Sequence, residues 1–275
     1  MAGDDCLIAN IGETISKIIA KYIALLKLFT DPILKMSNKF FIKKLFNIST
    51  VQPNVFSQYE KVSYSQSGED IIIEYLFGLR NIIKPVCLDI GAYHPIAANN
   101  TYKFFLKGSK CVNIDANPAA IENFTVTRPT DINLNIGVGR SEGQFDFYIM
   151  EDAALNTFSL DEKINLEKIG HLLKEVKKIK MAPVYKVLKE YFDDTAPDFI
   201  SIDAEGVDFD IIKSLDFGKY APKVICIESI NYTPDGTGTK RIDLCQFIEQ
   251  AGYFEYANTN INSIFVNKDW WFAGK

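Results

Sequence analysis

The chain has 275 residues, of which 47% are hydrophobic and 24% charged, with a formal net charge of -5. That length and mix suit one sizeable α/β domain with an appendage and a real buried core. The acidic balance argues against a duplex nucleic-acid binder, which needs a cationic surface to displace counterions, so no nucleic-acid partner is expected.

Cysteine usage adds a compartment. Cys6, Cys87, Cys111, Cys226 and Cys245 form an odd, scattered set without a CxxC spacing. Cys87, Cys111 and Cys226 sit in apolar runs and read as small buried hydrophobes rather than metal ligands or disulfides. A reducing, cytoplasmic setting is the expectation. Met-Ala-Gly-Asp-Asp is acidic where a signal peptide is basic, and no run of about 18 uncharged apolar residues is present.

Taken in chain order, residues 7–29 place Ile8, Ile11, Ile15, Ile18, Tyr22, Leu25 and Phe29 at alternating steps of three and four, one apolar stripe on a helix. Three readings stay open for it: a helical cap on the main domain, a homodimer contact, or peripheral attachment to an anionic membrane. Residues 47–64 read as a linker. Ser67-Gly68-Glu69-Asp70 resembles a capping box opening a helix to Arg80, with Ile71, Ile72, Tyr75, Leu76 and Leu79 facing inward. Residues 86–90 are a short apolar strand, 99–107 a helix, 111–115 a strand, 118–124 a helix and 132–138 a strand. Residues 144–150 alternate as an extra strand. A polar loop at 151–160 precedes a charged helix over 164–178 that carries His171, and 181–187 suggest a strand. Residues 198–203 form a strand, 207–215 a helix, 224–230 a strand and 240–251 a helix. Residues 254–257 and 263–267 pair as a closing antiparallel hairpin. Alternating strands and helices with apolar strand cores predict a doubly wound, mostly parallel seven-stranded sheet covered on both faces, Rossmann-like in class.

Ligands of such sheets bind beyond the carboxyl ends of the strands, at the switch point. The polar residues at those ends are Asp89 with Gly91, Asp115, Asn135, Asp203 with Glu205, and Glu228 with Asn231. Gly91 permits a tight turn. Asp115, 26 residues after Asp89, can accept both hydroxyls of a ribose; its other reading is a loop-capping acid. The loop after Gly91 is Ala92-Tyr93-His94-Pro95, too bulky to cradle a pyrophosphate, which disfavours NAD and FAD. A phosphate-free cation such as S-adenosylmethionine suits an acid-lined site better.

These segments resemble the FkbM-type methyltransferases, a branch of the class I fold, from about Tyr64 to Asn267. The resemblance rests on Ser65-Gln66-Ser67-Gly68-Glu69-Asp70, Leu88 to Pro95, Asn99-Asn100-Thr101-Tyr102, Asn113 to Pro118, Leu155 to Ser159, Ser201 to Gly206 and Val224 to Glu228. The family's usual D-x-G-A-N-x-G loop is here Asp-Ile-Gly-Ala-Tyr-His-Pro, without the second glycine. The resemblance implies methyl transfer from S-adenosylmethionine, usually to an oxygen of a sugar or polyketide-type product. It implies a methyltransferase domain over 61–275 behind an N-terminal extension and linker over 1–60. By position, Asp89, Gly91 and Ala92 line the methionine portion, Asp115 holds the ribose, Ala116 and Asn117 border the adenine, and Gln66 and Glu69 close over the cofactor. Tyr93, Thr101, Asn135 and Asp203 complete the expected cofactor set.

An alcohol is a poor nucleophile near neutral pH, so a base or a bound cation is expected beside it. His94, next to the expected sulfonium, is a candidate base; its alternative is a loop-shaping residue. Asp203 and Glu205, spaced i, i+2 at a strand end, read as catalytic acids facing the acceptor, with Mg²⁺ binding or structural capping as alternatives. Asn156, Glu205, Glu228, Asn231 and Tyr232 are the expected acceptor contacts. The expected partner is a small-molecule or glycan acceptor. Competing readings are a nucleotide-sugar or NAD-dependent enzyme and a non-catalytic scaffold acting through the N-terminal helix.

Overall fold

The computed structural model describes residues 57–231, 233 and 237–273. The chain divides into two compact units, Met1–Glu60 and Lys61–Lys275. Of the first unit only residues 57–60 are described, with one 3₁₀ turn at Ser57–Tyr59. The apolar stripe at 7–29 and its three readings therefore lie outside the described residues, as does Tyr232. No helix among the described residues is long and apolar enough to cross a membrane.

Among its described residues the second unit carries ten strands. The first half holds α1 (Glu69–Gly78), β1 (Cys87–Ile90), α2 (Tyr102–Phe105), β2 (Cys111–Ile114), α3 (Pro118–Thr127), β3 (Ile132–Leu134), β4 (Gly137–Gly139) and β5 (Gly143–Met150). The second half holds α4 (Leu160–Lys168), β6 (Leu173–Pro183), α5 (Val184–Tyr191), β7 (Phe199–Ile202), α6 (Asp208–Lys213), β8 (Val224–Glu228), α7 (Ile242–Gln250), β9 (Tyr253–Asn258), β10 (Asn262–Asn267) and α8 (Lys268–Phe272). Seven strands form one sheet in the order β3-β2-β1-β7-β8-β10-β9. The first five are mutually parallel, and β10 runs antiparallel to both β8 and β9. The strand order reverses between β1 and β7, which puts the switch point beside Asp89.

Period-two alternation sorts the core onto the two faces. Leu88, Ile90, Val112, Ile114, Ile200, Ile202, Ile225 and Ile227 pack with Val187 and Leu188 of α5, Ile211 and Ile212 of α6, and Leu244 and Ile248 of α7. Their alternates Cys87, Cys111, Phe199, Cys226, Ile264 and Val266 pack with Ile73, Leu76 and Phe77 of α1 and Phe104 of α2. The described cysteines are free and buried, the small-hydrophobe role expected of three of them.

Several boundaries differ from the sequence expectation. The charged segment 164–178 is not one helix. Gly170, at φ 100°, ends α4, and the N–H groups of Gly170 and His171 close back on the carbonyls of Glu167 and Leu166, the paired bonds of a Schellman stop. His171 follows the helix instead of riding on it. The lysines beyond belong to β6, which pairs antiparallel with β5 and parallel with β4 in a second, three-stranded sheet. Its exposed face carries Lys178 paired with Asp146 at 2.8 Å. The strand expected over 132–138 is two strands in two sheets, broken at Asn135 and Ile136. The segment 181–187 ends its strand at Pro183 and continues as helix, because Pro183 lacks the N–H a ladder needs. Of 99–107 only four residues are α-helical.

The start of α1 also differs. Its N-cap is Gly68 in a left-handed conformation, and the cap comes from Ser65, whose Oγ accepts the N–H groups of Gly68 and Asp70. Ile73, Leu76 and Phe77 face inward, whereas Tyr75 and Leu79 are about half exposed. Ser65→Ala should therefore cost about 1 kcal/mol, the usual worth of a cap, seen as a lower urea midpoint with an unchanged slope.

Candidate active site

Beyond the carboxyl ends of β1, β2 and β7 lies a cavity of about 180 Å³. It is lined by Asp89, Gly91, Ala92 and Tyr93 of the first loop, Asp115, Ala116 and Asn117 of the second, and Asp203 and Glu205 of the third, with Gln66 and Asn156 across from them. Among the described residues its wall contains four acids and no lysine, arginine or histidine.

The first loop is fixed from behind. Asp89 is buried, and its Oδ2 accepts from Asn99 Nδ2 at 3.0 Å and Thr101 Oγ1 at 2.9 Å. Fully buried Arg128 donates through Nη1 to Asn99 Oδ1 and Thr101 Oγ1, both at 3.1 Å, and through Nε to Asp131 at 2.7 Å. Burial pushes the Asp89 carboxyl up, and the Arg128 guanidinium opposes that shift. Thr101 therefore stands behind the cavity wall as a brace for Asp89.

Gly91 has φ 76°, and a Cβ there would overlap the Asp203 carbonyl. The β1 and β7 loops touch through backbone at this one residue, so no side chain fits.

Asp115 is held by two N–H groups, from Tyr93 at 2.8 Å to Oδ2 and from Asn117 at 2.7 Å to Oδ1. Each oxygen keeps a second lone pair for a ligand hydroxyl. Burial raises its pKa to about 6. Asn135 lies outside the lining; its Nδ2 donates to the carbonyls of Asp115 and Ala116, both at 3.0 Å, and so braces that turn.

His94 is also outside the lining. Its Nδ1 accepts from the N–H groups of Ile96 at 3.1 Å and Ala97 at 2.9 Å. This is the geometry of the loop-shaping alternative. His94→Asn, which keeps a side-chain acceptor, should leave the pH dependence of turnover unchanged and lower kcat less than about tenfold, below what loss of a general base costs; steady-state rates over pH 6–9 measure it. Glu69 is fully buried and outside the lining as well. It accepts from Thr259 Oγ1 at 2.6 Å and from Asn262 Nδ2 at 3.0 Å; Asn262 reaches the cavity.

The third loop concentrates charge. Burial and neighbouring acids, chiefly Asp208, push Asp203 up to about 7. Burial and Asp203 push Glu205 well above the usual carboxylate range, and burial with Asp203 and Asp208 brings Glu228 to about 9. Glu205 has φ 44° and Tyr93 φ 52°, left-handed conformations that non-glycine residues hold under strain, a pattern that clusters at functional sites. The Glu205 carbonyl accepts the Thr157 hydroxyl.

A second cavity, of about 590 Å³, adjoins the first, and Glu205 lines both. Glu228 and Asn231 lie on its wall with Glu162, Asn165, Lys168 and Arg241. Asn100, Phe147, Phe158 and Asn262 line the first cavity and were not expected from sequence. Asn100 and Phe158 lie in recognisable segments, whereas Phe147 arrives with the second sheet and carries no local signal.

The strand order, with an antiparallel strand inserted beside the last parallel one, and a cavity at the switch point are those of a class I methyltransferase. The chain belongs to the FkbM methyltransferase family, whose domain model matches residues 89–254. Among solved structures, a putative RNA methyltransferase from Pyrococcus horikoshii is similar at 11% identity and TM-score 0.36, covering 73% of this chain and 83% of that one. A putative O-methyltransferase from Klebsiella pneumoniae is similar at 13% identity and TM-score 0.36, covering 76% and 82%. A precorrin-6y C5,15-methyltransferase from Geobacter metallireducens is similar at 14% identity and TM-score 0.29, covering 66% and 79%. No curated protein matches the sequence significantly.

Proposed function

We propose that this methyltransferase uses S-adenosylmethionine to methylate a hydroxyl of a sugar, glycan or glycosylated natural product. The observation that carries the cofactor is a cavity with four carboxyls and no basic side chain. A dinucleotide needs cations or converging N–H groups for its phosphates; a sulfonium with an amino group needs acids. Asp115 would take the ribose hydroxyls, Ala116 and Asn117 would border the adenine, and Asp89 and Gln66 would meet the methionine end.

The cofactor supplies an electrophilic methyl group and leaves as a thioether. The protein's part is to align the acceptor for in-line attack and to take its proton. Glu205, shared by the two cavities, sits where acceptor and methyl would meet. A carboxylate of the Asp203–Glu205 pair would take the acceptor's hydroxyl proton, the cofactor supplying the methyl group when bound. Glu162, Asn165, Glu228 and Asn231 give the second cavity the carboxyl and amide groups that suit a polyhydroxylated ligand.

Calorimetry with S-adenosylhomocysteine and with NAD separates the cofactor readings, and binding of NAD alone would reverse the assignment. Labelled S-adenosylmethionine with a panel of glycans and sugar nucleotides, read by mass spectrometry, tests the acceptor. Transfer confined to non-hydroxyl acceptors would sink the sugar reading.

A further inference from the structure

Three acids on three different elements converge beside the two cavities. Asp203 follows β7, Asp208 opens α6 and Glu228 ends β8, and one carboxylate oxygen from each lies within 4.8 Å of the others. Two of them are nearly inaccessible: Asp208 is fully buried and Glu228 8% exposed. Asp208 Oδ1 accepts the Ala204 N–H at 2.7 Å. Its Oδ2 is buried without a hydrogen-bond partner. The Arg241 guanidinium is 3.7 Å from that oxygen, beyond hydrogen-bonding reach.

A buried carboxylate oxygen lacking a donor is expensive to keep, and three acids converging on one point compound the cost. A hard divalent cation removes both problems. Oxygens bound to one ion at 2.0–2.6 Å lie roughly 3–5 Å apart, the spacing seen here.

The geometry points to a Mg²⁺- or Mn²⁺-type site held by Asp203, Asp208 and Glu228 between the cofactor and acceptor cavities. The i, i+2 pair Asp203 and Glu205 marked the region in sequence, but Glu205 is outside the converging group, and two residues from later elements complete it. Asp203 faces the first cavity and Glu228 the second, so an ion held there would offer its remaining positions to ligands in either. Two neighbouring oxygens, a vicinal diol or a hydroxyl beside a carbonyl, are the chemistry that would occupy them. The role in turnover rests on the methyl-transfer reading above; the site itself rests on the three carboxylates alone.

The test is Mn²⁺ titration of the full-length chain after EDTA treatment, followed by the loss of the free Mn²⁺ electron-paramagnetic signal. S-adenosylhomocysteine binding is measured by calorimetry on the same sample. One Mn²⁺ should bind with submillimolar affinity, displaced by Mg²⁺. Asp208→Asn and Glu228→Gln should each weaken it by about tenfold or more, as expected when ligand charge is removed, and a cooperative melt certifies that each variant is folded. Absence of Mn²⁺ binding in a chain that still binds S-adenosylhomocysteine overturns the site, as does unchanged affinity in the folded variants. Mn²⁺ binding without S-adenosylhomocysteine binding supports the site and counts against the methyl-transfer reading instead.

Discussion

Asp115→Ala should weaken binding of S-adenosylhomocysteine by about 100-fold or more at pH 7.5. Two hydroxyl donors lose a charged acceptor, each bond worth about 1.5–3 kcal/mol, and a loss of about 3 kcal/mol is roughly 100-fold in affinity. The Tyr93 and Asn117 N–H groups also lose the acceptor that holds them at 2.8 and 2.7 Å, so the turn loosens as well. Asp115→Asn keeps one acceptor oxygen and should fall between. The pH dependence gives a second signature. Burial sets the Asp115 pKa at about 6, so a carboxylate able to accept from both ribose hydroxyls would be lost below that value. Affinity measured by calorimetry should decline from pH 7 to pH 5 in the native chain and stay flat in Asp115→Asn. A dissociation constant within threefold of native for Asp115→Ala would remove Asp115 from the cofactor site.

Asp203→Asn should abolish measurable methyl transfer while making the chain harder to melt at alkaline pH. On the proposed reading the loss would follow from removing a charge beside the sulfonium and the carboxyl next to Glu205; general-base effects alone are about 10²–10⁴-fold. The stability gain follows from the sign of the shift. Asp203 is raised from 3.8 to about 7 by burial and by Asp208, so the folded chain prefers the protonated acid. That contribution is complete below about pH 4 and is lost as pH rises through 7. At pH 8 the ionised group opposes folding, by something on the order of 2 kcal/mol once partial exposure is allowed for. Thermal melts in EDTA at pH 5 and pH 8 measure it: the variant should gain at pH 8 and gain little at pH 5. Equal melting temperatures at pH 8 would mean that the acids are relieved in some other way.

The two variants bracket what the sequence made legible. The strands β1, β2, β7 and β8 were visible because each is a short apolar run buried on both faces, and Asp89, Asp115 and Asp203 stood out as polar residues at their ends. Of the second sheet only β5 was visible, as the alternating run 144–150. Its β4 is only Gly137–Gly139, too short for periodicity to register, and its partner β6 lies some forty residues on, under lysines that mimic a solvated helix face. Asn135 was legible as a polar residue near a strand end; that its amide spans the carbonyls of Asp115 and Ala116 depends on how the chain turns there. His94 was legible as a nitrogen base, whereas its employment as an acceptor for Ile96 and Ala97 is set by a three-residue turn. The carboxyl group joining Asp208 and Glu228 to Asp203 depended on three elements meeting, which no local spacing encodes.

The division of β3 from β4 carries a mechanical consequence. Two residues, Asn135 and Ile136, are all that joins the main sheet to the small one at this point. Phe147, on β5, and Phe158, packed against it with ring centroids 4.7 Å apart, line the cofactor cavity from the small-sheet side. One wall of the cavity is thus carried by the small sheet, and its opposite wall by the end of the parallel sheet. Gly137 opens β4 at that joint, where an added Cβ would come within 2.5 Å of the Phe158 ring, so only the smallest residue lets that ring seat against the junction of the two sheets.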